Sequence, residues 1–201
     1  SWQHTFLIYL VTLIIFAFIF FYVPEITKDK SEQQKSSKLD GTIKRYLALC
    51  FVTFVIIWGV QLKIPSYLVF RGISSTAKAG LTLSLMNVAG MLAGFSFGMF
   101  YKKVSLWLLP IGFLGAAISV VGMLLAKTEG FVLIWAILFN FIYSFTGPTI
   151  VLKVNEIAQK SQLTKVNAYI MLSTILSSYA SPFIWNGLSS FFAKDNQILF
   201  S

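Results

Sequence analysis

Six long apolar runs, separated by short polar segments, dominate the chain. Each run approaches the ~20 residues that an α-helix needs to cross the ~30 Å hydrocarbon core of a bilayer. The apolar residues are continuous rather than alternating, which favours membrane helices over barrel strands. The predicted spans are 5–23, 46–70, 79–101, 104–126, 131–152 and 166–188. The pattern therefore predicts an all-α, polytopic membrane protein with six transmembrane helices.

The composition agrees with this class. Hydrophobic residues make up 57% of the 201 residues and charged residues 11%, and the mean hydropathy is +0.78. A soluble domain carries about 25% charged residues. The single cysteine, Cys50, lies in an apolar run, where a small buried side chain is expected, and a lone cysteine excludes an internal disulfide.

The basic residues predict the orientation in the membrane. The net charge is +9, and most of the 16 Lys and Arg residues lie in or beside the first, third and fifth loops. Cytoplasmic loops carry an excess of Lys and Arg, so these three loops are predicted to be cytoplasmic. Because the charge is split among loops, it suits anionic lipid rather than a nucleic acid, which is not expected as a partner.

A polar segment divides the chain into two parts. Residues 1–23 are predicted to form one transmembrane helix, and residues 46–201 a larger transmembrane bundle. Between them, residues 24–45 are charged and poor in apolar side chains, which is typical of a flexible cytoplasmic linker. The chain begins without Met and stops within an apolar run, so we expect a fragment of a longer protein.

Glycines recur every four residues on the predicted span 79–101, at Gly90, Gly94 and Gly98. Small helix faces let backbones approach closely in lipid. Static packing and a sliding interface both use such a face, and the pattern leaves the two open. The span 104–126 carries a similar face, formed by Gly112, Gly115, Ser119, Gly122 and Ala126.

Prolines interrupt three spans. Pro65 removes the backbone hydrogen bond that would reach Gln61, and Pro148, after Gly147, and Pro182 act in the same way further on. Bent or broken membrane helices often line cavities. A simple kink that fits the neighbouring helices is an equal alternative.

Polar side chains inside four spans are the candidates for a solute-binding cavity. An unpaired amide in hydrocarbon costs several kcal/mol, so such groups should face other helices or water. Interhelical hydrogen bonding, worth about 0.6 kcal/mol on average, explains any one of them. The set as a whole favours a shared polar cavity. The candidate lining residues are Trp58, Gln61, Asn87, Met91, Asn140, Tyr143, Ser144, Thr174 and Ser178.

Lys63 is a charged residue well inside a predicted span. An intramembrane charge indicates a functional site by default. However, Lys63 lies seven residues before Phe70, so its stem could extend towards the outer surface. It also lies nearly opposite Gln61 on a regular helix. We favour extension to the surface over a role in the cavity.

The remaining titratable residues argue against an enzyme. All seven acidic residues fall in loops, so no carboxylate pair can perform acid–base chemistry within the membrane. With one His and one Cys, no metal cluster is expected, and no cofactor is expected either. If transport is driven by protons, the titrating carboxylate must come from a part of the protein outside this chain.

Several segments resemble the major facilitator superfamily. Residues 2–9 look like the start of that family's sixth helix, and residues 24–45 like the linker between its two halves. Residues 64–68 and 74–81 are similar to the passage from its seventh to its eighth helix in a drug-exporter-like branch. Ser181 and Pro182, with Gly187, resemble the end of its eleventh helix.

The family's loop motif between helices eight and nine resembles residues 94–103. Gly94 and the basic pair Lys102 and Lys103 occupy matching positions. Gly98 stands where the family has an acidic residue, and Tyr101 stands in place of a second glycine. This departure speaks against the charge-relay gate that the motif provides in the family.

The resemblance implies a twelve-helix fold of two halves that alternately open a central site to each side of the membrane. The chain would supply helices six to eleven and the start of the twelfth, and the missing N-terminal half would be its partner. Helices seven, eight, ten and eleven would line the site, and these are the spans that carry the polar candidates.

The sequence therefore predicts a secondary transporter in the cell membrane that moves a small organic solute and is coupled to protons. The aromatic candidates Trp58, Tyr143, Tyr169 and Tyr179 favour an amphiphilic or organic substrate. A non-transporting membrane protein, such as a sensor or an assembly partner, is the alternative.

Overall fold

The computed structural model describes residues 39–192, so the predicted span 5–23 and most of the linker 24–45 lie outside the described residues. Within the described part, helices account for nearly all residues and no strand occurs. This confirms the all-α class. The helices are α1 (Gly41–Phe70), α2 (Thr76–Val104), α3 (Leu108–Leu125), α4 (Glu129–Tyr143), α5 (Thr146–Ile157) and α6 (Leu163–Phe192).

Four stretches are long and apolar enough to cross a membrane, namely α1, α2, α3 and the combined stretch Glu129–Ile157. They match four of the predicted spans. The predicted span 166–188 forms α6, which has 30 residues, but its Ser, Thr and Asn residues dilute the apolar ones and it is not among the four. The predicted count of six is therefore not reproduced in the described part of the chain.

The helix boundaries differ from the predicted ones at the start of α1 and at both ends of α2. Helix α1 begins at Gly41, directly after Asp40, and so includes Lys44 and Arg45, which were predicted to lie in the linker. Helix α2 continues through Lys102 and Lys103 to Val104, so this basic pair lies in the last helical turn and not in the loop predicted between the spans 79–101 and 104–126. Helices of 30 and 29 residues are longer than the ~30 Å core requires, so charged ends can project from it.

The chain reverses direction after α2 at Ser105, which has a positive φ of 51°. A short 3-10 turn, Ser105–Trp107, then leads into α3. A positive φ is unusual for a residue with a side chain. The reversal was therefore not predictable from the residue type at position 105.

The long predicted span 131–152 is broken in two. Helix α4 ends at Tyr143 and α5 begins at Thr146, with Ser144 and Phe145 in a turn between them. The break leaves Pro148 in the first turn of α5, where the N–H that a proline lacks would have no intrahelical partner. By contrast, Pro65 and Pro182 lie inside α1 and α6 without interrupting either helix.

The helices pack side by side along their lengths. Helix α1 packs against α6, α2 and α5, and α4 packs against α2 and α3. One apolar cluster joins the ends of α1, α3 and α4, where Leu68, Met123 and Val132 are buried. A second cluster lies towards the opposite end, around Ile43 and Val154. The basic residues Lys44, Arg45, Lys102 and Lys103 thus occupy one end of the bundle, as the predicted orientation requires.

Glycines on α3 form the close-packed face that the sequence predicts. A Cβ added at Gly115 would come within 2.6 Å of Ile142, and additions at Gly112 and Gly122 would overlap Thr146 and Trp135. The face therefore packs against α4 and α5. On α2 the pattern holds only at Gly90, because Gly94 and Gly98 have nothing within 4 Å.

Large apolar side chains cover much of the outer surface. Phe95 is 81% exposed, Phe183 is 80% exposed and Leu125 is 75% exposed. In water such a surface would be costly, whereas in lipid or against another helical half it is favourable. This apolar outer surface is typical of a helical bundle embedded in a membrane.

Candidate solute-binding site

Three side-chain amides from three helices meet where α1, α2 and α4 adjoin. Gln61 on α1 donates through Nε2 to Oδ1 of Asn140 on α4 at 3.2 Å and to Oδ1 of Asn87 on α2 at 3.3 Å. Asn140 is 3% exposed and donates through Nδ2 to the backbone carbonyl of Met86. These residues form what we term the amide cluster: Gln61, Asn87 and Asn140.

The amide cluster retains hydrogen-bonding capacity. Gln61 uses only its NH₂ group and Asn87 only its oxygen, so Oε1 of Gln61 and Nδ2 of Asn87 have no partner among the described residues. Asn87 is exposed and Gln61 is half-buried, whereas Asn140 is enclosed. The cluster therefore presents one acceptor and two N–H donors to the space beside α1 and α2.

Gly90 makes room for this arrangement. A Cβ at this position would lie 2.7 Å from Nδ2 of Asn140 and 3.0 Å from Oγ of Ser144. The absent side chain lets α2 and α4 approach closely enough for Asn140 to reach the carbonyl of Met86. Ser144, a predicted lining residue, lies next to the cluster and is half-buried.

Tyr143 occupies the packed core. It is 1% exposed and donates its hydroxyl to the carbonyl of Thr53 at 3.0 Å. Its ring stacks on Phe139 at 5.4 Å and meets Phe113 edge-on at 5.5 Å. The structure thus gives Tyr143 a packing environment between α1, α3 and α4.

Thr174 and Ser178 lie on α6, away from the amide cluster. Thr174 donates to the carbonyl of Ile170 and Ser178 to that of Ile175, so both hydroxyls are used within their own helix. Met91, one turn beyond Asn87 on α2, is 55% exposed. The indole N–H of Trp58 is enclosed and has no acceptor among the described residues.

Two hydrogen bonds that the sequence did not predict fasten α6 to α1. Ser181 Oγ and Trp185 Nε1 both donate to the carbonyl of Val55, at 2.9 and 3.0 Å. The Trp185 ring lies directly over Gly59, where a Cβ would overlap it. The sequence contains both Gly59 and Trp185, but it predicts their contact only if α1 and α6 are already known to be neighbours.

Lys63 contacts α6. Its Nζ donates sideways to Oδ1 of Asn186 on α6 at 2.8 Å. This contact gives the ammonium a partner on α6, and the extension towards the outer surface that we favoured from sequence stays a prediction. Gln61 and Lys63 do face different neighbours, as their spacing on a helix predicts.

The residues of the loop motif have no contact with the amide cluster. Gly94 and Gly98 face open space on α2. Lys102 and Lys103 are exposed in its last turn. Among the described residues, no group of three His, Cys, Asp or Glu side chains could hold a metal ion.

Comparison with known proteins identifies the family. The family model described as Major Facilitator Superfamily matches residues 1–182. No curated protein and no solved structure gives a significant match. The matched residues include every helix that meets in the amide cluster. The chain belongs to the major facilitator superfamily and is a multi-pass membrane transporter protein.

Proposed function

We propose that the protein is a secondary active transporter of the cell membrane that moves a small organic solute by alternating access. The observation that carries this proposal is the amide cluster, in which Gln61, Asn87 and Asn140 converge from α1, α2 and α4. We place the protein in the drug-exporter-like branch, on the resemblance of residues 64–68 and 74–81.

The energetics support a binding role for the cluster. Interhelical hydrogen bonds in membranes contribute about 0.6 kcal/mol on average, which is little in return for placing three amides in apolar helices. If every polar atom of the cluster were hydrogen-bonded within the protein, a purely structural role would be sufficient. Here the side-chain oxygen of Gln61 and the two N–H groups of Asn87 have no partner among the described residues. A polar group of a solute could form hydrogen bonds with them.

The surroundings of the cluster suit an organic solute. Met91 and the half-buried Trp58 provide large apolar surfaces on α2 and α1, close in sequence to Asn87 and Gln61. Ligand sites combine such surfaces with a few placed polar groups. An amphiphilic molecule, with a polar end at the amides, matches this combination.

Proton coupling would involve the other half of the protein. The described acidic residues are Asp40, Glu129 and Glu156, and all three lie at helix ends. Glu129 pairs with Lys78 at 3.2 Å and Glu156 pairs with Lys153 at 2.6 Å. We therefore propose that the titrating carboxylate belongs to the N-terminal half.

Flux measurements on the full-length protein in proteoliposomes test the proposal. A panel of radiolabelled small aromatic solutes is followed under an imposed pH gradient, with protein-free liposomes as the background. We expect protein-dependent flux of at least one solute, and a loss of about tenfold or more in the Gln61→Ala and Asn140→Ala variants, because each removes a hydrogen-bonding partner of the cluster.

The matched control is Ser84→Ala. Ser84 lies one turn before Asn87 on α2 and donates only to the carbonyl of Gly80 in its own helix. The flux of the Ser84→Ala variant should therefore equal that of the unaltered protein. Unchanged flux in both amide variants would remove the cluster from the transport site. Solute binding without flux of any solute would favour the alternative of a non-transporting sensor.

A further inference from the structure

A lysine and an asparagine meet at the seam between α1 and α6, inside both helices. Lys63 lies seven residues before the end of α1 at Phe70, and Asn186 lies six residues before the end of α6 at Phe192. These spacings correspond to about 10 and 9 Å along the helix axes. The contact between Nζ and Oδ1, at 2.8 Å, is therefore well below both helix ends.

The charge of Lys63 has no counter-ion in the described part of the chain. The two ion pairs found there join Lys78 to Glu129 and Lys153 to Glu156, and Asp40 lies at the opposite end of α1. The single hydrogen-bond partner of the ammonium is a neutral amide. A cation among apolar helices is costly unless an anion or water reaches it, and an anionic partner would neutralise this charge.

The seam around the pair is held in a fixed geometry. Trp185, adjacent to Asn186, donates to the carbonyl of Val55 and packs over Gly59, one turn before Lys63. The indole N–H is thereby used and cannot serve a ligand. The N–H donors that remain free at this seam belong to Lys63 and Asn186.

The donors left on the pair match a carboxylate. The ammonium has three N–H donors and gives one to Asn186, whose own NH₂ group has no partner among the described residues. Lys63 is half-buried and Asn186 is exposed, so a ligand can approach both. Two adjacent donor groups of this kind can bind the two oxygens of one carboxylate, and the ion pair strengthens both hydrogen bonds.

We propose that Lys63 and Asn186 form a subsite for a carboxylate of the transported solute, which would make the substrate an organic acid. This inference rests on the proposed transport function and narrows its substrate class. The subsite is separate from the amide cluster, because Gln61 faces α2 and α4 whereas Lys63 faces α6.

Equilibrium binding to the full-length protein in phosphatidylcholine nanodiscs tests the subsite. The probes are radiolabelled benzoate and benzamide, which have the same ring and differ in charge. We expect benzoate to bind at least about tenfold more tightly than benzamide, since a charge-assisted hydrogen bond is worth more than a neutral one. Lys63→Met should abolish that difference, and Lys63→Arg should retain part of it.

Two controls isolate the subsite. Lys78→Met removes a cation that lies at the helix end and pairs with Glu129, so the preference for benzoate should persist. Asn186→Ala keeps the ammonium but removes the second donor, and a partial loss of the preference is expected. A preference for benzoate that survives Lys63→Met, or equal binding of the two probes, including no binding of either, overturns the proposal.

The source of the anion is tested in the same assay. In nanodiscs that contain phosphatidylglycerol, a solute subsite should retain its benzoate binding. Complete loss of that binding would assign the pair to a lipid headgroup and overturn the proposal. Flux distinguishes this inference from the proposed function: a Lys63-dependent preference for benzoate without flux of any solute would support the subsite and contradict transport.

Discussion

At the scale of single residues, the most constrained position in the described bundle is Gly59. The Trp185 ring occupies the place where a side chain would begin, and its N–H is fastened to Val55. The close approach of α6 to α1 therefore depends on the absence of a Cβ at residue 59. Gly187, on the same side of the seam as Trp185, has nothing within 4 Å and imposes no such requirement.

We expect Gly59→Ala to lower the thermal unfolding midpoint of the full-length protein in detergent. The added methyl must displace the indole, and overpacking of this kind costs about 1–3 kcal/mol, more than the helix propensity of alanine restores. Gly187→Ala should leave the midpoint unchanged or raise it slightly. A midpoint for Gly59→Ala equal to that of the unaltered protein would contradict the packing of Trp185 on Gly59.

The residues of the amide cluster could be named from the sequence, but their partners could not. Gln61, Asn87 and Asn140 stood out because amides are rare and costly in apolar helices. The bond between Lys63 and Asn186 was missed because spacing along one helix says nothing about which residue a neighbouring helix presents. Tyr143 was predicted to line the cavity, yet its hydroxyl donates to the carbonyl of Thr53.

At the scale of helices, the break between α4 and α5 lies beside the amide cluster. Asn140 is in the last turn of α4, and Ser144 lies in the break itself. Pro148 leaves the carbonyl of Ser144 without its helical partner. We propose that this break lets the segment bend during the transport cycle, since unwound backbone in membrane proteins is tolerated where it lines a cavity or is covered by protein.

Pro148→Ala supplies the missing N–H and should let α4 and α5 join into one helix. We expect a higher thermal unfolding midpoint together with a flux reduced several-fold, measured in the same proteoliposomes. Pro110→Ala is the matched control, because Pro110 lies in the first turn of α3, where a backbone N–H has no intrahelical partner. Equal flux in the two variants would show that the break has no part in transport.

Helix positions were more predictable than helix ends. Four predicted spans correspond to described stretches that can cross a membrane, because a bilayer sets the length of an apolar run. Lys102 and Lys103 were placed in a turn, whereas a helix can continue through basic residues once it leaves the hydrocarbon. Local charge therefore marks the membrane boundary and not the end of the helix.

At the scale of the whole molecule, orientation rests on the distribution of basic residues. Helix α3 has 18 residues, about 27 Å, and separates Lys103 from Lys127. Single cysteines at these two positions should react with a membrane-impermeant thiol reagent from opposite sides, Lys103→Cys from the cytoplasmic side. Cys50 is 0% exposed and should add no background. Reaction of both from one side would contradict the crossing of α3.

The account depends on a further property of the whole bundle, that the amide cluster faces water and not lipid. Asn87 and Ile118 compare the two environments well. Both are exposed in the described bundle, and both lie in the middle of a span. Asn87 lies on α2 beside Gln61, and Ile118 lies on α3 and is 53% exposed. A hydrophilic thiol reagent reacts only with a thiol that water reaches.

The most direct measurement is therefore the reaction of Asn87→Cys and Ile118→Cys with a membrane-impermeant thiol reagent in the full-length protein. We predict that Asn87→Cys is modified and is protected by transported solute, whereas Ile118→Cys stays unmodified. An unreactive Asn87→Cys, in a protein that still inserts and folds, would place the amide cluster against lipid and contradict the proposed transport site.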